Sequence, residues 1–208
     1  MIAILTGDII NSRKDKQGIW RDKLKNILSI YGKEPENWEI FRGDSFQLEI
    51  SLLESLKAAL SIKASIKQIK DIDVRIAIGI GEKDYESNRI TQSTGAAFIN
   101  SGVCFDNLKK YSLLIKSPNS EFDEEMNLYL ILALLVMDNW LPVTAQVVKE
   151  SILHQEMNQI VLAKMLGKSQ STISEALKRA GYDEIMKMEK RYRKLVNQYF
   201  MVDKLNEK

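Results

Sequence analysis

The sequence predicts an α+β protein, with a ferredoxin-like sheet that carries helices on one face, followed by an all-α domain. Over about the first 116 residues, short apolar runs with strand character alternate with amphipathic helical patterns. A turn-rich, acidic segment follows at 117–125, and every periodic segment after it is helical. We therefore expect one domain over residues 1–120 and a second, helical domain over residues 121–208.

The first half of the chain follows the order β-α-β-β-α-β-α-β. Ile2–Leu5 is a continuous apolar run, which is typical of a strand buried on both faces. Arg42-Gly43-Asp44-Ser45 separates two strand-like runs, which predicts a hairpin. The predicted strands are Ile2–Leu5, Trp38–Phe41, Phe46–Ile50, Val74–Ile80 and Tyr111–Ile115. The predicted helices lie between Trp20 and Tyr31, over Ser51–Lys70 and over Gly95–Asn107.

The second half contains five helical patterns. They cover Met126–Trp140, Thr144–Ser151, Asn158–Leu166, Ser169–Ala180 and Asp183–Phe200. Within the first of these, Tyr129–Val136 is apolar at almost every position. We interpret this stretch as a buried helix, with a dimer interface as the alternative.

Composition excludes several classes of function. The chain has 30 Lys and Arg against 28 Asp and Glu, a net charge of +2, so any nucleic-acid site must be a local patch. The single Cys104 cannot form an intrachain disulfide, and the single His154 excludes a zinc site built from Cys and His. We expect Cys104 to be a small buried residue, with a reactive thiol as the alternative.

The start of the chain predicts a strand rather than a signal peptide, because it lacks a basic segment and has an acidic residue at Asp8. The longest apolar run, Leu128–Met137, is about half as long as a membrane-spanning helix requires. We therefore expect a cytoplasmic protein with no membrane partner.

The segment 158–181 has the pattern of a DNA-binding helix-turn-helix. Ile160, Ala163 and Leu166 form one apolar stripe, and a second stripe follows at Ile173, Ala176 and Leu177. Gly167 permits the positive φ of a tight turn, and Ser169 is a suitable N-cap for the next helix. The segment is similar to the helix-turn-helix of many bacterial repressors.

The second helix of this pair would expose side chains that suit DNA. Amide and hydroxyl groups contact base edges and phosphates, and basic groups contact phosphates or guanine. The predicted DNA-binding residues are Gln170, Ser171, Thr172, Ser174, Lys178 and Arg179. Residues 168–194 carry a local charge of +4, from eight basic and four acidic residues. The alternative is a helical hairpin used only for packing or protein contact.

Two aspartates follow strand-like runs in the first half. Asp8 lies at the end of the first strand and Asp44 in the predicted hairpin, so the two carboxylates should meet at one edge of the sheet. Carboxylates placed together favour a hard divalent cation such as Mg²⁺, together with substrate phosphates. Arg13 and Arg42 would add positive charge for a phosphate. The alternative is that Asp8 caps a turn and Asp44 only shapes the hairpin.

The segments 4–9 and 38–46 together resemble the metal-binding core of the class III nucleotide cyclase superfamily. The run 42–46 is also similar to the signature loop of diguanylate cyclases, with Ser45 where that family has Glu. The segments 74–81 and 95–98 resemble the later strand and helix of the superfamily. Over the whole chain, the resemblance is to the SatD family of bacterial proteins.

The resemblance implies a cyclase-like fold for residues 1–120 and a nucleotide site that binds Mg²⁺. Its metal ligands would be Asp8, the carbonyl of Ile9, and Asp44. The nucleotide-binding residues would be Asn11, Ser12, Arg13, Arg42 and Gly43. A nucleotide cyclase is not expected, because the positions of its base-recognising Lys and its transition-state Asn and Arg are Ile40, Ile99 and Val103.

These observations predict a bacterial regulator that binds DNA through its helical domain and a nucleotide with Mg²⁺ through its first domain. A homodimer would suit a palindromic DNA site. The first alternative is a nucleotide-processing enzyme whose helical domain binds a partner. The second alternative is a non-catalytic scaffold.

Overall fold

The computed structural model describes residues 1–201. The strands are β1 (Ile2–Ile10), β2 (Trp38–Phe41), β3 (Ser45–Ile50), β4 (Asp73–Gly81) and β5 (Leu113–Lys116). The helices are α1 (Ile19–Leu28), α2 (Leu52–Ile66), α3 (Ala96–Asp106), α4 (Ser120–Met137), α5 (Pro142–Leu153), α6 (Gln159–Leu166), α7 (Gln170–Ala180) and α8 (Tyr182–Val196). The predicted order β-α-β-β-α-β-α-β is confirmed. Residues 202–208 of the predicted second domain lie outside the described residues.

The five strands form one mixed sheet in the order β2-β3-β1-β4-β5. β1 pairs antiparallel with both β3 and β4, and β5 pairs parallel to β4. The predicted hairpin joins β2 to β3 through a three-residue turn, in which Arg42 and Gly43 have φ values of 49° and 95°. The chain is therefore an α+β protein, as the sequence predicts.

Helices cover both faces of the sheet, so the prediction of helices on one face is wrong. α1 and α2 lie on the face that contains Leu5 and Ile78, whereas α3 packs on the opposite face. The reason is that the first half of β1 and most of β4 are buried on both sides, and each side needs a cover. α3 approaches closely at Gly79, where a Cβ atom would lie 2.1 Å from the backbone nitrogen of Ser101.

Of the helices after β5, α4, α5 and α8 continue the core of the sheet. One cluster of buried hydrophobic side chains runs from β1 through α2 to α4, α5 and α8, across the predicted boundary at residue 120. α2 lies between the sheet and these helices, and for this reason twelve of its fifteen residues are buried. A smaller separate cluster joins α6 and α7 to Val147 of α5.

A buried lysine also links the two parts of the chain. The amino group of Lys63 on α2 contacts Asp73 Oδ1 at 2.9 Å and Asp138 Oδ1 at 2.7 Å. It also donates to Ser112 Oγ at 3.0 Å. These partners satisfy a charge that would be costly to bury alone, and they fix the end of α4 to the sheet.

No helix within residues 1–201 is both long enough and apolar enough to cross a lipid bilayer.

Candidate functional site

α6 and α7 are joined by a short turn whose ends are both capped as the sequence predicts. Gly167 ends α6 in the left-handed conformation, with φ of 60°. The Ser169 hydroxyl begins α7 by accepting a hydrogen bond from the backbone nitrogen of Thr172 at 3.2 Å. Asn158 caps α6 in the same manner, accepting from two backbone nitrogens at 3.0 Å each. These caps fix the angle at which α7 leaves the turn.

The buried faces of the pair differ in one position from the prediction. Ile173 and Ala176 of α7 are fully buried, and they pack with Leu162 and Ala163 of α6. The prediction that Ile160 lies on the apolar stripe is wrong, because its side chain is 71% exposed. Apolar residues in α6 recur at spacings of three and four, so the sequence was compatible with two rotations of the helix about its axis. Packing against α7 selects the rotation that buries Leu162 and exposes Ile160.

The outward face of α7 carries the predicted DNA-binding residues. Five of the six are exposed and Thr172 is half-buried; the exposed ones are Gln170, Ser171, Ser174, Lys178 and Arg179. Within residues 1–201, the side chains of Lys178 and Arg179 form no ion pair. The Gln170 amide donates to Gln159 Oε1 at 3.0 Å, an exposed contact that water or a ligand could replace.

Positive charge lies on α6, α7 and α8, but two of the arginines on α8 are paired with glutamates of the protein. Residues 158–181 contain four basic residues and one acid, a net charge of +3. On α8, Arg191 contacts Glu125 at 3.0 Å, and Arg193 contacts Glu54 at 2.9 Å and also pairs with Glu189. The predicted patch over residues 168–194 is therefore partly neutralised by the protein itself.

The carboxylate of Asp8 is paired with a guanidinium on the next strand. Asp8 lies opposite Ser45 of β3 and opposite Arg75 of β4. Arg75 donates to both oxygens, from Nε to Oδ1 at 2.9 Å and from Nη2 to Oδ2 at 2.6 Å. The hydrogen bonds from Arg75 to Asp8 raise the pKa of the Arg75 guanidinium. The same guanidinium lies 5.3 Å from the ring centre of Phe105.

Asp44 lies on the neighbouring segment, with a different partner. Its Oδ2 accepts from Ser12 Oγ at 2.6 Å, and its backbone carbonyl accepts from the nitrogen of Ile9 at 3.2 Å. Both Asp8 oxygens already accept hydrogen bonds from Arg75, so a cation between Asp8 and Asp44 would compete with this guanidinium for the Asp8 carboxylate. Within residues 1–201, no three His, Cys, Asp or Glu side chains are grouped to hold a metal ion. Metal binding at this edge stays a prediction.

The predicted nucleotide-binding residues surround two adjoining pockets beside the hairpin turn. Four of the five, all except Asn11, line a pocket of about 310 Å³ together with Trp20, Arg21 and Asp44. Asn11 lines the neighbouring pocket with Ile9 and Lys14, and its amide donates to the carbonyl of Asp71 at 3.0 Å. Three arginines, at positions 13, 21 and 42, therefore meet at one pocket, which suits an anionic group.

Sequence reasoning missed Arg21 as a member of this pocket. Arg21 is in the first turn of α1, and its Nη2 donates to the carbonyl of Gly43 at 3.0 Å. Its guanidinium lies 5.3 Å from the ring centre of Trp20. In the sequence, Arg21 is marked only as a basic residue next to the apolar Trp20. This pattern does not indicate which loop the Arg21 side chain contacts.

A cleft of about 520 Å³ with a mixed polar and apolar lining opens on the α3 side of the sheet. Two phenylalanines, Phe41 and Phe105, lie among its lining residues, and Arg42 lines both this cleft and the arginine pocket. Thr91 at the cleft donates to Glu39 Oε2 at 2.6 Å. Arg42 is therefore the residue that the cleft and the arginine pocket share.

Comparisons with protein-family models, with curated proteins and with solved structures found no match to this chain.

Proposed function

We propose that this chain is a cytoplasmic DNA-binding regulator of the SatD type, in which α6 and α7 form a helix-turn-helix that binds double-stranded DNA. The supporting observation is the outward face of α7, which exposes amide, hydroxyl and basic groups. Its two basic side chains, Lys178 and Arg179, form no ion pair with any residue in the range 1–201. Its opposite face is apolar and buried, so α7 is held rigidly while most of its polar side is exposed to solvent. This combination favours contact with a polyanion over a role in packing alone.

The roles of the α7 residues follow from their chemistry. Gln170 and Ser174 lie one helical turn apart near the start of the helix, so both would meet the same base pairs in the major groove. Ser171 and Thr172 at the first turn would contact phosphate oxygens. Lys178 and Arg179 at the last turn would neutralise phosphates on the flanking backbone.

Charge reversal on α7 tests this proposal. Lys178→Glu/Arg179→Glu changes the net charge from +2 to −2, since each substitution replaces one positive charge by one negative charge. The exposed pair Lys109 and Lys110, in the turn after α3, gives the matched control Lys109→Glu/Lys110→Glu with the same net charge. Fluorescence anisotropy with a labelled mixed-sequence duplex at low salt measures the affinity.

We expect the α7 variant to lose about a hundredfold in affinity or more and the control to lose about threefold or less, because only α7 contacts phosphates. The affinity of the wild type should fall steeply with added salt. An equal loss of DNA affinity in both variants would contradict the proposal, because it would show that binding depends on the net charge of the protein and not on the surface of α7.

An apolar patch on α6 favours protein contact as the rival role. Ile160, Val161 and Met165 are 71%, 46% and 44% exposed, and hydrophobic side chains exposed together often mark a protein interface. If the wild type shows no affinity for any duplex at low salt, this rival replaces DNA binding.

A second candidate function is nucleotide binding by the first part of the chain. β1 to β4 lie in the order β2-β3-β1-β4 with every neighbouring pair antiparallel, which supports a ferredoxin-like, nucleotide cyclase-like assignment. In this proposal Arg13 and Arg42 hold phosphates, with Asn11, Ser12 and Gly43 around them. Mg²⁺ would be held by Asp8, Asp44 and the Ile9 carbonyl, in competition with Arg75 for the Asp8 carboxylate.

Calorimetry with ATP and GTP, each with and without Mg²⁺, tests this second candidate. Binding that requires Mg²⁺ and is lost in Asp8→Ala/Asp44→Ala would support the metal site. Binding without Mg²⁺ that is lost in Arg13→Ala/Arg42→Ala would support an arginine site for phosphate alone. Conversion of the nucleotide to a product would favour the nucleotide-processing enzyme, and absence of binding would leave a scaffold.

A further inference from the structure

The outward face of α4 is apolar. Four aliphatic side chains on this face are 39–70% exposed, namely Leu128, Leu132, Leu135 and Val136. The segment 127–137 contains no charged residue, although 28% of the chain is charged. Its inward residues, Leu130, Leu134 and Met137, are buried in the core, so the second half of α4 is apolar all round. A helix of this kind is normally covered on both sides.

This face forms one wall of a groove between α4 and α8. The groove has a volume of about 600 Å³, and the apolar residues that line it are Tyr129, Leu132, Ala133, Val136, Ile185 and Met188. Its floor is therefore suited to an apolar surface and not to a phosphate or a carboxylate.

The rim of the groove carries both signs of charge. Glu184, Lys187 and Arg191 of α8 line it. Glu184 and Lys187 are 75% and 76% exposed, with 4.0 Å between Oε1 and Nζ, so both remain accessible to another chain. A two-fold interface brings the same surface of each copy together, and an acid beside a base on one rim is self-complementary in that arrangement. A lipid surface favours basic residues without acids.

We propose that this groove is the interface of a homodimer, in which α4 of each copy packs against α4 and α8 of the other. The four exposed aliphatic side chains form the apolar centre, and Glu184 of one copy faces Lys187 of the other at the rim. An apolar centre with a charged rim is the usual composition of a homodimer interface.

The position of the groove relates this dimer to the proposed DNA site. Gly181, which ends α7 and begins α8, also lines the groove. The dimer would therefore fix the two α7 helices relative to each other, as two half-sites of a palindrome require. Only this consequence depends on the proposed function; the dimer itself does not.

Sedimentation velocity of the full chain over a range of concentrations tests the proposal. We expect the wild type to sediment at twice the chain mass and Leu132→Glu/Leu135→Glu to sediment as a monomer with an unchanged circular dichroism spectrum. Its dissociation constant should rise about a hundredfold or more, because the dimer would bury unpaired carboxylates. The control Ile99→Glu changes a residue that is 66% exposed on α3, and it should remain a dimer.

A charge swap tests the orientation of the two copies. Glu184→Lys should weaken the dimer by placing basic groups together on the rim, and Glu184→Lys/Lys187→Glu should restore it. A monomeric wild type, or a dimer that survives the double substitution in α4, would overturn the proposal. Since no DNA is present, failure of DNA binding cannot produce either outcome.

Discussion

The indole nitrogen of Trp140 donates a hydrogen bond to the carbonyl oxygen of Ala180 at 3.1 Å, and both residues are buried. Ala180 is the last residue of α7, where helix carbonyls have no partner within the helix. Trp140 lies between α4 and α5, so this bond attaches the end of α7 to the main core. The proposed DNA-binding helix is thereby fixed at both ends, by its cap at Ser169 and by Trp140.

Replacing Trp140 by Phe should lower the free energy of unfolding by about 1–3 kcal/mol. The substitution keeps most of the apolar contact but leaves the buried Ala180 carbonyl without a donor. Urea unfolding measures the difference. The neighbouring Leu141 is 70% exposed, and Leu141→Ala should change stability by about 0.5 kcal/mol or less. Equal stability of Trp140→Phe and the wild type would contradict the role of this bond.

The ion pair between Asp8 and Arg75 should appear as a coupling in a double-mutant cycle. Asp8→Asn, Arg75→Leu and the double variant give a coupling energy in urea unfolding. We expect about 1 kcal/mol, because the pair is bidentate but partly exposed to solvent. Additive effects would show that the two side chains do not interact in solution.

Glu39 should make stability depend on pH. Burial alone raises the pKa of this carboxyl, but hydrogen bonds from Thr91 and Arg89 outweigh burial and lower it. Since the pKa is lower in the folded state, the charged form stabilises the protein above the pKa of the unfolded chain. This stabilisation is lost as the pH falls through the folded-state pKa.

Glu39→Gln should therefore be less stable than the wild type at neutral pH, and the gap should narrow as the pH is lowered from about 5 to about 3. Thermal unfolding across this range measures the gap. Glu36, an exposed glutamate nearby, gives the control Glu36→Gln. A gap that stays constant with pH would mean that Glu39 acts through packing and not through its charge.

Cys104 should react slowly with thiol reagents. Its side chain is 5% exposed, which confirms the prediction of a buried residue, and burial raises the pKa of the thiol to about 12. Labelling with Ellman's reagent should be about a hundredfold slower or more in the native protein than in urea. Rapid labelling of the native protein would instead support the reactive thiol that the sequence left open.

The order of the elements and the hairpin were predictable because they depend on local patterns. Alternating or continuous apolar runs define strands, and Arg42-Gly43-Asp44 has the glycine that a tight turn needs. The side of the sheet that α3 covers does not depend on a local sequence pattern. Ile2–Leu5 indicated burial on both faces, yet nothing in the sequence indicates which helix covers which face.

In the candidate sites, too, some features depend on local sequence and were predictable, whereas others depend on the whole fold and were not. The caps at Gly167 and Ser169 were predictable from residue type alone. The exposure of Ile160 was not, because two phases of α6 fit the same spacing. The pairing of Asp8 with Arg75 depends on the register of β1 against β4, which the chain sets only when the whole sheet forms.

Selection of binding sites from a pool of randomised DNA duplexes tests recognition by α7 most directly. The wild type should enrich one sequence motif. Gln170→Ala should relax the preference at defined positions by about fivefold to a hundredfold, because an amide that reads adenine is lost. The exposed Gln155 lies outside α7, and Gln155→Ala should enrich the unchanged motif. If the wild type enriches no motif, or if Gln170→Ala enriches the same motif as the wild type, α7 is not the recognition helix.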